Sequence, residues 1–374
     1  MSRAAATGLR APLIALPGPA PRIERLVVRA FDLQRDLEAL AEHIAAVNVH
    51  DGDDWIPTPA ALAHDLANTP GRDPGRDIVL AELDGAIVGS ALTSWRIRAE
   101  RVFHHVELRV RPDLRRRGLG RALLAWAEGR VTEGLAVGTM GPTDLPHVLN
   151  GWADFEVAAT GPFAEAAGYE IDGYGVLMTR SLDEPLPEAH LPAGLEVRPV
   201  RPEDHRRIWD ADIEAFRDHR DPALRTEADF VRWFGHPDID TSLWDVAWDG
   251  DEVAGSVMTF IFPEENARLV LDRGWLEHVS VRRPWRKRGL ASALMVRSMA
   301  RLRERGMHEV TLGADAENLT GAVRVYEALG FRRTRTGASY VKPIPLRSAG
   351  AAPEPRPRAT AARPRSSSRG RARA

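Results

Sequence analysis

One short basic, glycine-containing pattern occurs twice in this chain, as Arg115-Arg116-Arg117-Gly118-Leu119-Gly120 and as Arg286-Lys287-Arg288-Gly289-Leu290-Ala291, about 170 residues apart. Each copy follows an apolar, strand-like run (Val106 to Val110; Val279 to Val281). Each opens an amphipathic, helix-like run (Leu119 to Ala127; Leu290 to Leu302). A strand that turns through glycine into a helix places unpaired backbone N–H groups at a helix N-terminus, which is a ready anion site. Two copies at this spacing imply two copies of one α/β domain.

Length agrees, because 374 residues suffice for two cores of about 150 residues each. With 44% apolar and 28% charged residues and a net charge of -2, no global attraction to nucleic acid or anionic membrane is expected. Cysteine is absent, which excludes disulfides, thiolate zinc sites and cysteine nucleophiles and makes the cytoplasm the expected location. No apolar run approaches the roughly 18 residues of a spanning helix, and Pro12 to Pro21 is too short and proline-rich for a secretory segment.

Further parallels mark the repeat boundaries. Leu26 to Arg29 followed by Leu33 to Val47 is matched by Leu195 to Arg198 followed by His205 to Phe216, a short strand and then an amphipathic helix. Asp84-Gly85 and Asp249-Gly250 each lie between alternating apolar runs, the signal of a tight hairpin. The expected organisation is a disordered leader (1–22), an N-terminal domain (23–182), a Pro-rich linker (183–193), a C-terminal domain (194–346) and a disordered Arg-rich tail (347–374). Nucleic acid is not expected as a partner except through that tail.

Gly118, Gly120, Gly289 and Ala291 carry little or no bulk, so a diphosphate could approach the backbone closely. A dinucleotide fold would require glycine where Leu123 stands. A P-loop would require Gly-Lys followed by Ser or Thr, yet Lys287 precedes Arg288 and Lys342 precedes Pro343. Downstream, Asn318 is placed to cap a helix whose Ala322, Val325 or Tyr326, and Leu329 share a face, and which ends at Gly330 before Phe331.

Arg286 to Ala291 together with Asn318 to Phe331 resembles the signature of GNAT-superfamily N-acetyltransferases, over most of residues 195 to 342 and more loosely over 26 to 182. The resemblance implies an α/β fold of two tandem acyl-CoA N-acyltransferase domains, each a mixed, mostly antiparallel sheet flanked by helices. It implies acetyl-CoA as co-substrate and a small-molecule amine as acceptor; no metal is expected, because the chain has no His-Glu-x-x-His pattern and the adjacent His104 and His105 of a strand cannot face one ligand. It also implies that Arg286, Lys287, Arg288, Gly289, Leu290, Ala291 and Asn318 bind the co-substrate, with Val279 and Val281 on the strand that pairs with its pantetheine arm. Arg115, Arg116, Arg117, Gly118 and Gly120 are the counterparts in the first repeat. Tyr326 is implied as the acid that protonates the departing thiolate. The tandem arrangement with a degenerate first half is similar to that of mycothiol synthases, although no residue of the acceptor region selects their acceptor.

An amine of lysine-like pKa near 10.4 is about a thousandth neutral at pH 7, roughly 4 to 5 kcal/mol to be recovered by deprotonation. Glu277 is the first candidate base, with His278 or a water relay as alternatives. By strand alternation Glu277, Val279 and Val281 share one face and His278 and Ser280 the other, unless a bulge intervenes. Glu214, Phe216, Asp218 and His219 are the expected acceptor-binding group, or else a solvated turn. In the first repeat Ala164 stands where Tyr326 does, no counterpart of Asn318 is evident, and Glu107 lies near the position of His278. The expectation is catalysis by the C-terminal domain in a monomer or homodimer. The alternative is a non-catalytic acetyl-CoA sensor or scaffold.

Overall fold

The computed structural model describes residues 11–157, 159–219, 222–316 and 321–345; Asn318 and the Arg-rich tail lie outside them. The first half runs β1 (Val27–Ala30), α1 (Leu33–Asp51), α2 (Pro59–Asn68), α3 (Pro74–Asp77), β2 (Ile78–Leu83), β3 (Ala86–Arg98), β4 (Arg101–Val110), α4 (Leu119–Ala136), β5 (His147–Asp154), α5 (Thr160–Ala166) and β6 (Glu170–Ser181). The second half follows the same order except that it has no α-helix at the position of α3 and inserts a helix between its third and fourth strands: β7 (Glu196–Arg198), α6 (His205–Phe216), α7 (Glu227–Phe234), β8 (Asp245–Asp249), β9 (Glu252–Ile261), α8 (Pro263–Leu269), β10 (Arg273–Val281), α9 (Leu290–Glu304), β11 (Glu309–Asp315), α10 (Ala322–Ala328) and β12 (Arg332–Ile344).

Local chemistry sets many of these boundaries. Asp32 caps α1 by accepting from the N–H groups of Gln34 and Arg35, and Gly52 ends it in the left-handed region. Asp84 and Gly85, both at positive φ, close the β2–β3 hairpin as expected, and β8 and β9 close around Gly250 and Asp251. Helices cover both faces of the sheet. On β2, Ile78 and Leu80 pack under α1 and α2, while Val79 and Ala81 pack under α4. The second half repeats this, with α6 over Val246 and Trp248 and α9 over Ala247, Ala254 and Val257.

The two halves share one twelve-stranded sheet in the order β1-β2-β3-β4-β5-β12-β6-β11-β10-β9-β8-β7. The last strand of each half is exchanged: β12 lies between β5 and β6, and β6 pairs antiparallel with β11. Ala338 and Tyr340 of β12 therefore enter the core under α4, while Val176 and Met178 of β6 enter the core under α9. Gly337 and Gly175 are register partners beneath the Trp152 indole. A Cβ at Gly337 would lie 2.4 Å from that ring, and one at Gly175 would lie 2.7 Å from it, so only glycine admits the close approach.

Residues 11–22 correct the expectation of a disordered leader. Leu13 bridges Arg29, Ile14 donates its N–H to the Val28 carbonyl at 2.9 Å, and Ile14 and Leu16 pack on the core under α4. The edge of β1 has unpaired backbone groups, and these residues satisfy some of them.

Within each half two parallel strands separate. β4 and β5 stay paired only from Val102↔His147 to His105↔Asn150, and β10 and β11 only from Arg273↔Glu309 to Trp275↔Thr311. Beyond those points β4 and β10 present unpaired backbone to a slot that leads toward the glycine loops.

Tyr340→Ala is expected to destabilise the protein by about 3–5 kcal/mol, the cost of emptying a fully buried aromatic site. Because Tyr340 belongs to the second half by sequence and to the first half's core by packing, denaturant unfolding followed by probes in each half should show both transitions shifted together.

Candidate functional site

The two glycine loops have the same backbone. Arg115 and Arg286 are extended, Arg116 and Lys287 lie at φ near 60°, and Gly118 and Gly289 lie at φ 94° and 81° as the caps of α4 and α9. Neither helix has a side-chain cap, so their first N–H groups remain open to an anion. Leu290 is buried, so it can offer such a ligand only its backbone, while Arg116, Arg117, Lys287 and Arg288 are exposed around the loops.

The first arginine of each loop, expected to bind the co-substrate, is engaged with partners inside the protein. Arg115 donates from Nε to the Val110 carbonyl at 3.0 Å and forms a bidentate pair with Asp51 at 2.7 and 2.6 Å. Arg286 donates from Nε to the Val281 carbonyl at 2.8 Å, pairs with Asp218 and donates to the Ala215 carbonyl at 2.9 Å. Each guanidinium thus clamps its loop to the C-terminal end of α1 or the residues just after α6. Asp218, expected to bind acceptor, is the anchor of this clamp and is also paired with Arg283. The hydrogen bonds from Arg283 and Arg286 hold its carboxyl far below the usual carboxylate range.

The loops differ in their surroundings. In the first half Arg22 donates its backbone N–H to the Arg117 carbonyl, a Cβ at Gly118 would lie 3.6 Å from Pro21, and one at Gly120 would lie 3.9 Å from the Phe163 ring. In the second half nothing lies within 4 Å of a Cβ built at Gly289.

A bulge decides the orientation of β10. Its pairing with β9 shifts register between Leu276 and His278, leaving Glu277 as the extra residue. Strict alternation is therefore corrected: Val279 and Val281 pack on the core under α9, whereas Glu277 lines the cleft and His278 turns toward α6. Glu277 is exposed on the cleft wall, where partial desolvation by the surrounding residues raises its pKa above the ordinary carboxylate value while His278 lowers it in part.

His278 Nδ1 lies 2.8 Å from Asp212 of α6, with Trp233 stacked at 5.0 Å and Phe216 at 5.2 Å. Burial draws the imidazole pKa down, and the Asp212 charge and hydrogen bond raise it by more. The ring is held as a partner of Asp212 between two aromatic walls. Of the remaining expected acceptor residues, Glu214 accepts from Arg282 at 2.9 Å, Phe216 packs on His278 and His219, and His219 lines the cleft. Glu107, near the position of His278 in the first half, is locked by Arg72 and Arg109 at 3.4 and 3.2 Å. Its burial is more than offset by the charges of His105, Arg109 and Arg72, which lower its pKa to about 2.

Tyr326 lies on α10 with its ring in the core under α9 and its centroid 6.2 Å from that of Phe331. Burial pushes its phenol up to about 12. α5, the corresponding helix of the first half, carries Ala164 on its core side.

The cleft that Glu277 and His219 line could not be read along the chain. A cleft of about 590 Å³ lies between the halves, with Asp53, Asp54 and Trp55 on one wall, Trp152, Gly175 and Gly337 below, and Glu265, Trp275, Glu277 and Gly313 on the other wall. Its residues come from seven strands and connections, and only tertiary structure assembles them. Among the described residues no group of three or more His, Asp or Glu side chains could hold a metal ion, and no helix is long and apolar enough to cross a membrane.

Comparison with known proteins agrees with this architecture. Residues 40–138 and 205–331 each match the acetyltransferase (GNAT) family. The mycothiol acetyltransferase of Geodermatophilus obscurus is 30% identical over 271 residues, 71% of this chain and 82% of that protein. The mycothiol acetyltransferase of a Parafrankia species is 27% identical over 84% of this chain and 97% of that one. Among solved structures, a GCN5-related N-acetyltransferase from Sphaerobacter thermophilus superposes with a TM-score of 0.63 at 28% identity, covering 86% of this chain and 96% of that chain. A tandem GNAT protein of the clavulanic acid biosynthesis pathway shares the fold with a TM-score of 0.61 at 16% identity, over 86% of this chain and all of that one.

Asp212→Asn should lower the His278 pKa, because burial then acts with little opposition; a histidine titration by NMR checks this. A raised histidine pKa stabilises the fold fully below the unfolded value near 6.5, and that stability is lost as pH rises through the folded pKa. The variant should therefore lose stability at pH 5 and little above pH 8.

Proposed function

From the premise that the chain belongs to the acetyltransferase (GNAT) family, we propose that its C-terminal half transfers an acetyl group from acetyl-CoA to a primary amine of a small molecule. The observation that carries this reading is the asymmetry between the halves. Both halves have a splayed slot, but the second joins it to an open glycine loop and Tyr326, whereas the first has Phe163 and Pro21 against its loop and Ala164 in place of the tyrosine.

The residues present fit the co-substrate. The uncapped start of α9, with Lys287 and Arg288 beside it, suits a pyrophosphate, and the unpaired backbone of β10 beyond Trp275 suits an amide-containing arm. Acetyl-CoA supplies a thioester carbonyl carbon, to which the amine nitrogen bonds as the C–S bond breaks. Tyr326 donates its phenolic proton to the sulfur. Its pKa near 12 lies above that of a free thiol, but a thiolate leaving into the same buried site is desolvated as well, which narrows the gap. Glu277, at the bulge, draws the acceptor's ammonium to the carbonyl. His278, held by Asp212, positions the aromatic wall beside it.

The acidic and aromatic cleft supports a cationic acceptor, and the mycothiol acetyltransferases among the relatives make the amine acetylated in mycothiol synthesis the first to test. CoA-thiol release should be measured over a panel of that amine, aminoglycosides, polyamines and peptides. One acceptor class should turn over, and Tyr326→Phe should lower kcat about 100-fold with acetyl-CoA affinity unchanged. Acetyl-CoA binding without turnover on any amine would favour a non-catalytic sensor instead.

A further inference from the structure

Glu265 is a buried carboxyl that the chemistry above leaves without a task. It sits in the first turn of α8, and α8 is pinned to the start of β10 by a reciprocal pair of bonds. Asn266 Nδ2 donates to the Arg273 carbonyl at 3.0 Å, and the Arg273 N–H donates to Asn266 Oδ1 at 3.2 Å. The Glu265 side chain is therefore fixed in place, and the residue is only 4% exposed. Its Oε1 accepts from Trp275 Nε1 at 2.7 Å, and its Oε2 has no hydrogen-bond partner among the described residues. The side chain lines the same cleft wall as Trp275 and Glu277.

A carboxylate this buried, without a full set of donors or an ion-pair partner, is expensive to keep charged. Burial raises its pKa most. The Trp275 hydrogen bond lowers it, Asp54 from the α1–α2 connection raises it, Arg273 lowers it, and Glu277 raises it, for a result of about 7. Arg273 is itself held by Glu309 at 2.6 Å and Asp54 at 3.0 Å, and Asp54 is shared with Arg335 of β12 at 3.4 Å. A group that titrates at the working pH is the most effective general base there.

We propose that Glu265 is the proton acceptor for the amine substrate, an assignment that rests on the acetyl-transfer reading and adds to it a residue on an element the sequence motifs do not touch. Glu277 holds the ammonium at the bulge. An N–H bond of the ammonium breaks, and its proton goes to Glu265 Oε2. The electron pair left on nitrogen forms the bond to the acetyl carbon; as the C–S bond breaks, a second N–H proton leaves that nitrogen and replaces the proton Tyr326 gives to sulfur, and Glu265 releases its own proton to water in the cleft. Trp275 keeps the carboxyl aimed through Oε1.

The test compares wild type, Glu265→Gln and Glu265→Asp. The glutamine keeps an acceptor for the Trp275 N–H but takes no proton, so a purely structural role would survive it. In wild type, kcat/KM should rise with pH to a plateau beginning near 7. In Glu265→Gln it should fall about 100-fold at pH 7 and climb without that plateau toward the amine pKa, near 10 for a lysine-like acceptor. Glu265→Asp, which retains a carboxyl, should restore an inflection at a shifted pH. A second readout needs neither co-substrate nor turnover: infrared difference spectra of the unliganded protein should show a carboxylic acid band lost with a midpoint near 7 in wild type and absent in Glu265→Gln. Turnover whose inflection near 7 survives in Glu265→Gln overturns the assignment and leaves acetyl transfer standing, as does a wild type with no carboxyl titrating near 7. Silence of the wild type on the whole amine panel, with the infrared band present, overturns the acetyl-transfer reading and the role of Glu265 together.

Discussion

The exchange of β6 and β12 between the halves is the constraint on which the rest of the structure depends. β12 supplies hydrogen bonds to both β5 and β6, and β6 to both β12 and β11, so the middle of the sheet is built from strands whose core residues serve the opposite half. Closing pairings between residues so distant in the chain costs loop entropy, and apolar burial on both faces offsets it. The exchange also sets the spacing of the two slots. The floor of the central cleft is the junction itself, where Gly175 and Gly337 lie flat under Trp152.

On this frame the two glycine loops illustrate conserved geometry with divergent surroundings inside one chain. Each loop is held by an arginine that reaches back to the preceding strand's last carbonyl and across to an aspartate at or just beyond the end of the first helix of its half. The clamp keeps two left-handed residues in place, one of them Arg116 or Lys287, where a side chain normally disfavours that conformation. What differs is access. The first loop is approached by the leader and by Phe163, and the second is open.

The cleft joins the halves chemically as well as structurally. The first half contributes Asp53, Asp54, Trp55 and Trp152, and the second contributes Glu265, Trp275 and Glu277. Across this shared space Asp54 of the first half and Glu277 of the second raise the pKa of Glu265, and Arg273 lowers it. A half that has lost its tyrosine thus still shapes the electrostatics of the other half's site.

The sequence by itself determined the repeat, the glycine loops with their strand and helix flanks, both tight hairpins and the family, because each rests on spacing within a few residues and on backbone rules that act locally. It did not determine the partner of Arg286, the side of β10 on which Glu277 emerges, or the order along residues 11–22. An arginine beside a phosphate loop has the same letter whether it faces ligand or Asp218. A one-residue bulge is invisible to alternation, and a short apolar pattern becomes ordered only when an edge such as β1 is there to receive it. Asp54, Trp152 and Glu265 carry no local signal, since their shared cleft exists only after two strands have crossed between halves. Tertiary structure decided those features because they depend on contacts between different elements that only the fold brings together, as when Arg286 meets Asp218 from 68 positions away.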